Sequence, residues 1–156
     1  MDVELQSRSI LACELVADVA RDFGEVCLAV TGASMIPALW PGDIIIVRHR
    51  ETVELKPGDI ALYRRQNQLV AHRITRIRRD LLTAHGDSLP SDDPPVRESD
   101  IVGQVVSVVR NGRCVPPARL LRRRTVSFLL QRSDFCTRMV LRFGRRIQRY
   151  RNVGIT

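Results

Sequence analysis

Among the side chains able to do covalent or proton-transfer chemistry, Ser34 has the most unusual setting. It lies in VTGASMIPALWPGDIIIV (residues 30–47), a bend flanked by strand-like runs. A serine hydroxyl is a weak nucleophile until a base takes its proton. The chain offers few bases: one lysine, Lys56, and three histidines, His49, His72 and His85. A Ser–Lys mechanism would have to use Lys56, which precedes Pro57-Gly58 at a predicted turn and would need desolvation to act as a base near neutrality. His72 sits within LVAHRITRI, where strand alternation puts it on one face with Val70 and Ile74. Unperturbed imidazole titrates near pH ~6.5, which suits a general base. Taken alone, a core histidine satisfied by one hydrogen bond is the simpler account. His49, in RHR, reads as a strand-end surface residue, and His85 is open to either reading.

A histidine base usually needs an acceptor to orient it. Asp87, Asp92 and Asp93 lie in GDSLPSDDPPVRESD (86–100), an acidic, proline-rich loop. If 69–78 and 81–85 form a hairpin, this loop returns toward the His72 end of the sheet. The alternative role of these carboxylates is ordinary turn chemistry. Cys13, Cys27, Cys114 and Cys136 are widely spaced and form no CxxC pair, which argues against a zinc or thioredoxin-like site. All four read as free and mostly buried.

The elements that must position these residues follow from periodicity. Residues 8–23 show helical spacing of Leu11, Leu15, Val16, Val19 and Phe23, with Arg8, Glu14, Asp18, Arg21 and Asp22 left for solvent and Gly24 as the stop. Strands are predicted at 26–31, 44–49, 59–64, 69–78, 81–85 and 101–109. The PGD turns at 41–43 and 57–59 each launch one; Arg79-Asp80 and Asn111-Gly112 mark further turns. Pro116-Pro117 closes the β-rich body. The chain therefore divides into an N-terminal helix (1–25), a β domain (26–117) and a tail (118–156) in which Phe128, Phe135, Met139, Phe143, Ile147 and Tyr150 return to helical spacing among arginines.

In order along the chain, GASMIPAL, WPGDIIIV, LKPGDIALY, LVAHRI, HGDS with SDD, and IVGQVVSV resemble the catalytic core of the type I signal peptidases, over roughly residues 28–109. The likeness is greatest to the endoplasmic-reticulum and archaeal branch, which has histidine where bacterial enzymes and LexA-type repressors have a catalytic lysine. Helical spacing gives an amphipathic helix at each end; the resemblance implies a mainly β fold, a coiled, mostly antiparallel sheet. It implies Ser34 as nucleophile, His72 as general base and then acid, Asp87 as the aspartate of the GD box, and Asp93, slightly favoured over Asp92, as a second aspartate. It also implies no metal or organic cofactor. Gly32 and Ala33 would keep bulk away from an extended peptide added to a sheet edge, and Met35 would border a shallow pocket preferring small side chains before the cut. Gly32 lacks the hydroxyl that some relatives place two residues before the nucleophile.

The net charge of +8 is uneven: residues 1–118 hold 14 Lys+Arg against 16 Asp+Glu, whereas 119–156 hold 11 Arg against Asp134 alone. No run reaches the ~18–20 apolar residues of a membrane span. MDVELQSRS shows no signal-peptide pattern, so the expected location is cytoplasmic with reduced thiols, or peripheral at the membrane. The expected function is a serine endopeptidase removing a leader or signal-like segment from a precursor peptide or protein. Two other readings are a non-catalytic peptide-binding module of the same fold and a recruiter acting through the basic tail. Residues 119–151 would then meet an anionic bilayer; nucleic acid ranks lower, because no DNA-binding module precedes the β body.

Overall fold

The computed structural model describes residues 2–79 and 81–117, with the side chains of 2–6 left aside; the basic tail, its expected helix and Cys136 lie outside the described residues. Helix α1 (Asp2–Phe23) is followed by β1 (Glu25–Ala29), β2 (Ile44–Arg48), β3 (Ile60–Arg65), β4 (Gln68–Arg78), β5 (Leu81–His85), β6 (Val96–Arg97), β7 (Ile101–Arg110) and β8 (Arg113–Val115). All pairings are antiparallel, in the order β1-β2-β7-β3-β4-β5-β6, with β8 also on β7. The fold is mainly β with one N-terminal helix, as the sequence predicts.

The strands are rich in Val, Ile and Leu, which suit a pleated, half-buried surface. Left-handed backbone at Asn111 (φ 51°) and Gly112 (φ 73°) makes the tight β7–β8 turn. Register shifts at Ile46/Val47, Leu62/Tyr63 and Ile74/Arg76 coil the sheet. Two apolar clusters result. One gathers Leu39, Ile45, Val47, Leu62 and Val105; the other Leu55, Tyr63, Ile74, Leu82 and Val96.

Helix α1 ends at Gly24 (φ 80°), as expected, and Val16 of the expected stripe packs against the core, but the buried face is centred elsewhere. Cys13, Ala17 and Ala20 pack inward, while Leu11 and Leu15 are each 64% exposed and Phe23 80%. Small side chains let the helix approach the sheet closely, and Leu11, Leu15 and Phe23 are left outside. The cysteine expectation also needs correction: Cys13 is buried, but Cys27 and Cys114 are exposed. Cys27 sits on β1, where alternation turns it away from the core, and Cys114 on β8, whose three residues are all exposed.

Candidate active site

Strand β4 changes partners along its length. Gln68–Arg73 pair with β3, and Arg73–Arg78 pair with β5. Among the described residues, the edge of residues 68–72 opposite β3 is thus unpaired, as is the outer edge of β1. The two edges border a groove of about 520 Å³ lined by Leu28, Val30, Met35, Leu69, Ala71 and others, with Ser34 and His72 at one place in its wall.

Ser34 comes from the loop between β1 and β2. The Leu39 N–H donates to the Met35 carbonyl (2.9 Å), and the Asp43 carboxylate closes the loop by accepting from the Trp40 N–H and the Arg110 guanidinium. The loop is also clamped from across the site. The Ser88 N–H donates to the Ser34 carbonyl (3.0 Å), and the Ser88 hydroxyl donates to the Ala33 carbonyl (2.9 Å). Gly86 is required at this crossing, because a Cβ there would lie 2.9 Å from the Ser34 carbonyl oxygen.

The Ser34 Oγ lies 2.9 Å from His72 Nε2. His72 is buried, and its Nδ1 contacts Asp93 Oδ2. A carboxylate only accepts, so this contact places the ring proton on Nδ1 and leaves Nε2 free to accept from the serine hydroxyl. Asp93 is brought here by its own N–H, which donates to the Ala84 carbonyl (2.8 Å) at the end of β5. Burial would raise the Asp93 carboxyl, but hydrogen bonds from His72 and Tyr63 and the nearby charges hold it below the usual carboxylate range.

The other candidates are placed differently. Asp87 does not reach His72: both its oxygens accept from Arg73, at 2.8 and 2.7 Å, and this pair is buried. Arg73 also donates to the Gly58 carbonyl (2.9 Å), so the pair joins β4, the second PGD turn and the GDS turn. Asp92 lies 3.2 Å from His85 Nδ1. His49 contacts the Val102 carbonyl (3.1 Å) and is half-buried. Lys56 is exposed at its turn. Gly32 and Met35 line the groove, whereas Ala33 is not part of its wall.

Two residues of the cluster escape sequence reasoning. Tyr63, fully buried, donates its hydroxyl to Asp93 Oδ2 and lies 3.3 Å from His72 Nδ1; Arg65 donates to Asp93 Oδ1. Burial first, then the Asp93 hydrogen bond, pushes the Tyr63 phenol far above its ordinary value, so it remains a donor. Their legible signal was the alternation of LYRR, which puts residues 63 and 65 on one face.

No helix among the described residues is long and apolar enough to cross a membrane. A comparison with curated proteins finds no match. The family model for peptidase S24-like proteins matches residues 9–106, from within α1 to within β7 and including every residue of the Ser34–His72–Asp93 cluster, so the chain belongs to the peptidase S24-like family, within the superfamily of LexA and the signal peptidases.

Proposed function

We propose that the protein is a serine endopeptidase of signal-peptidase type that removes a leader or signal-like segment from a precursor peptide or protein. The observation carrying this reading is the 2.9 Å approach of Ser34 Oγ to His72 Nε2, with Asp93 on the other ring nitrogen. An extended peptide would lie between the unpaired edges of β1 and β4, adding backbone hydrogen bonds to both. The apolar groove wall around Met35 suits small or aliphatic side chains.

His72 Nε2 takes the Ser34 proton as Oγ bonds to the scissile carbonyl carbon. The Ser34 N–H, which has no hydrogen-bond partner among the described residues, is available to the developing oxyanion. Collapse of the tetrahedral adduct breaks the C–N bond, and His72 gives its proton to the leaving amine. Water then attacks the acyl-enzyme with His72 again as base, releasing the acid and restoring Ser34. Asp93 holds the imidazole in the tautomer these steps need.

The test is mass spectrometry of the full chain incubated with a fluorophosphonate probe and with a library of extended peptides carrying small residues. An adduct on Ser34 and cleavage, both lost in Ser34→Ala and His72→Ala, support the reading. A folded protein that binds peptides in the groove but gives neither adduct nor cleavage would make it a peptide-binding module instead.

A further inference from the structure

The Asp93 carboxylate has more partners than an orienting aspartate needs. Oδ2 contacts His72 Nδ1 and also accepts from the Tyr63 hydroxyl, while Oδ1 accepts from Arg65 Nη1. Tyr63 is fully buried and Asp93 is 8% exposed, so these bonds form where they are little weakened by water. A phenol needs one partner to be satisfied in a core. The Tyr63 hydroxyl spends that bond on the lone pair His72 would otherwise have to itself.

We propose that Tyr63 and Arg65 are positioning residues, which fix the plane of the Asp93 carboxylate and draw off part of its negative charge, so that the imidazole of His72 is oriented without being locked into its charged form. The proposal rests on the peptidase reading for its catalytic meaning. Its physical content is a property of the cluster. A bare carboxylate against an imidazole favours the imidazolium, and an imidazolium cannot accept the serine proton. A donor on each oxygen and one positive charge oppose that effect.

The charged and titratable groups facing the ring support this balance. They are Asp93 from the segment after β5, Tyr63 and Arg65 from β3, and Ser34 from the β1–β2 loop. Beyond them, Arg73 is engaged by Asp87, and His85 lies against Asp92. Among the described residues, Asp93 is the carboxylate in contact with the ring, and Arg65 is the cation in contact with Asp93.

The experiment is an NMR pH titration of the imidazole signals in the full chain, with the His72 resonance assigned by its loss in His72→Gln. In Tyr63→Phe, Asp93 Oδ2 loses a donor and its charge falls more heavily on the ring. In Arg65→Ala, the nearby positive charge is gone. Both variants are expected to move the His72 midpoint to higher pH, while Arg65→Lys, which keeps the charge, stays nearer wild type. The fluorophosphonate rate on Ser34 near neutral pH is expected to fall about tenfold in Tyr63→Phe, as for loss of one hydrogen bond to a charged group, with the acid limb of its profile displaced in the same direction. Folded Tyr63→Phe and Arg65→Ala proteins with an unmoved His72 midpoint would overturn the proposal. A displaced midpoint in a protein whose Ser34 never labels would support the positioning role and defeat the peptidase reading.

Discussion

Arg73 and Asp87 form a buried, two-pronged ion pair one residue beyond His72, with guanidinium-to-carboxylate distances of 2.8 and 2.7 Å. The pair fastens the GDS turn to β4, and the same turn grips the Ser34 backbone through Ser88. A side chain that never meets the imidazole thereby sets where the serine stands.

Removing one member of such a pair strands the other as a buried charge. Asp87→Asn is expected to destabilise the protein by about 3–5 kcal/mol in denaturant unfolding. Replacing both residues with apolar ones of similar size should recover much of that loss. If Asp87→Asn instead left stability unchanged and abolished catalysis, Asp87 would act on the chemistry and not through the turn.

Asp93 and Lys56 separate a histidine base from a lysine base. Asp93→Asn should leave the protein folded but lower Ser34 acylation by roughly 10²–10⁴-fold, because the amide favours the wrong imidazole tautomer. Lys56→Ala should retain most activity, since that ammonium is exposed at its turn. Loss of activity in a folded Lys56 variant, or a rate profile still climbing past about pH 9, would point to a lysine base.

Acid stability follows from the depressed Asp93 carboxyl. Its folded value lies below its unfolded one, so its stabilisation is fully present above the ordinary carboxylate range near pH ~4 and is lost as pH falls through the folded value. The unfolding midpoints of wild type and Asp93→Asn should therefore differ most at pH 6–7 and converge on acidification below about pH 4. A gap that is constant with pH would contradict this.

Close backbone approaches make two glycines sensitive. A Cβ on Gly103 would sit 2.2 Å from the Arg48 carbonyl oxygen, where β2 meets β7, and Gly103→Ala should cost about 2–3 kcal/mol in thermal or denaturant unfolding. At Gly86 a Cβ would press on Leu89 and on the Ser34 carbonyl. Leu89 can yield, but the carbonyl moves only with the nucleophile. Gly86→Ala should thus lower Ser34 reactivity by an order of magnitude or more while changing stability less.

Local pattern was enough for the six longer strands, the β7–β8 turn and the existence of α1, because β-branched runs, PGD and Asn-Gly act over a few residues. Ser34 and His72 were also legible, as a serine in a small-residue bend and a strand histidine in a chain with few bases. The short strands β6 and β8 carry too little alternation to be read. The outward leucines of α1 were missed because helical spacing gives a period without saying which face the sheet accepts; here the small residues Cys13, Ala17 and Ala20 permit the closer packing.

The sequence by itself determined part of the inventory: Ser34, His72 and the candidate aspartates, and the order in which they come along the chain; Tyr63 and Arg65 entered only with the fold. Tertiary structure decided their partners. Asp87 and Asp93 are chemically identical, but β4 presents Arg73 and His72 on opposite faces and the acidic loop passes both. Asp87 goes to the guanidinium and Asp93 to the imidazole, where Tyr63 and Arg65 already offer donors. That choice depends on registers and on a loop closed by the Asp93–Ala84 hydrogen bond, long-range geometry that no short stretch of chain contains.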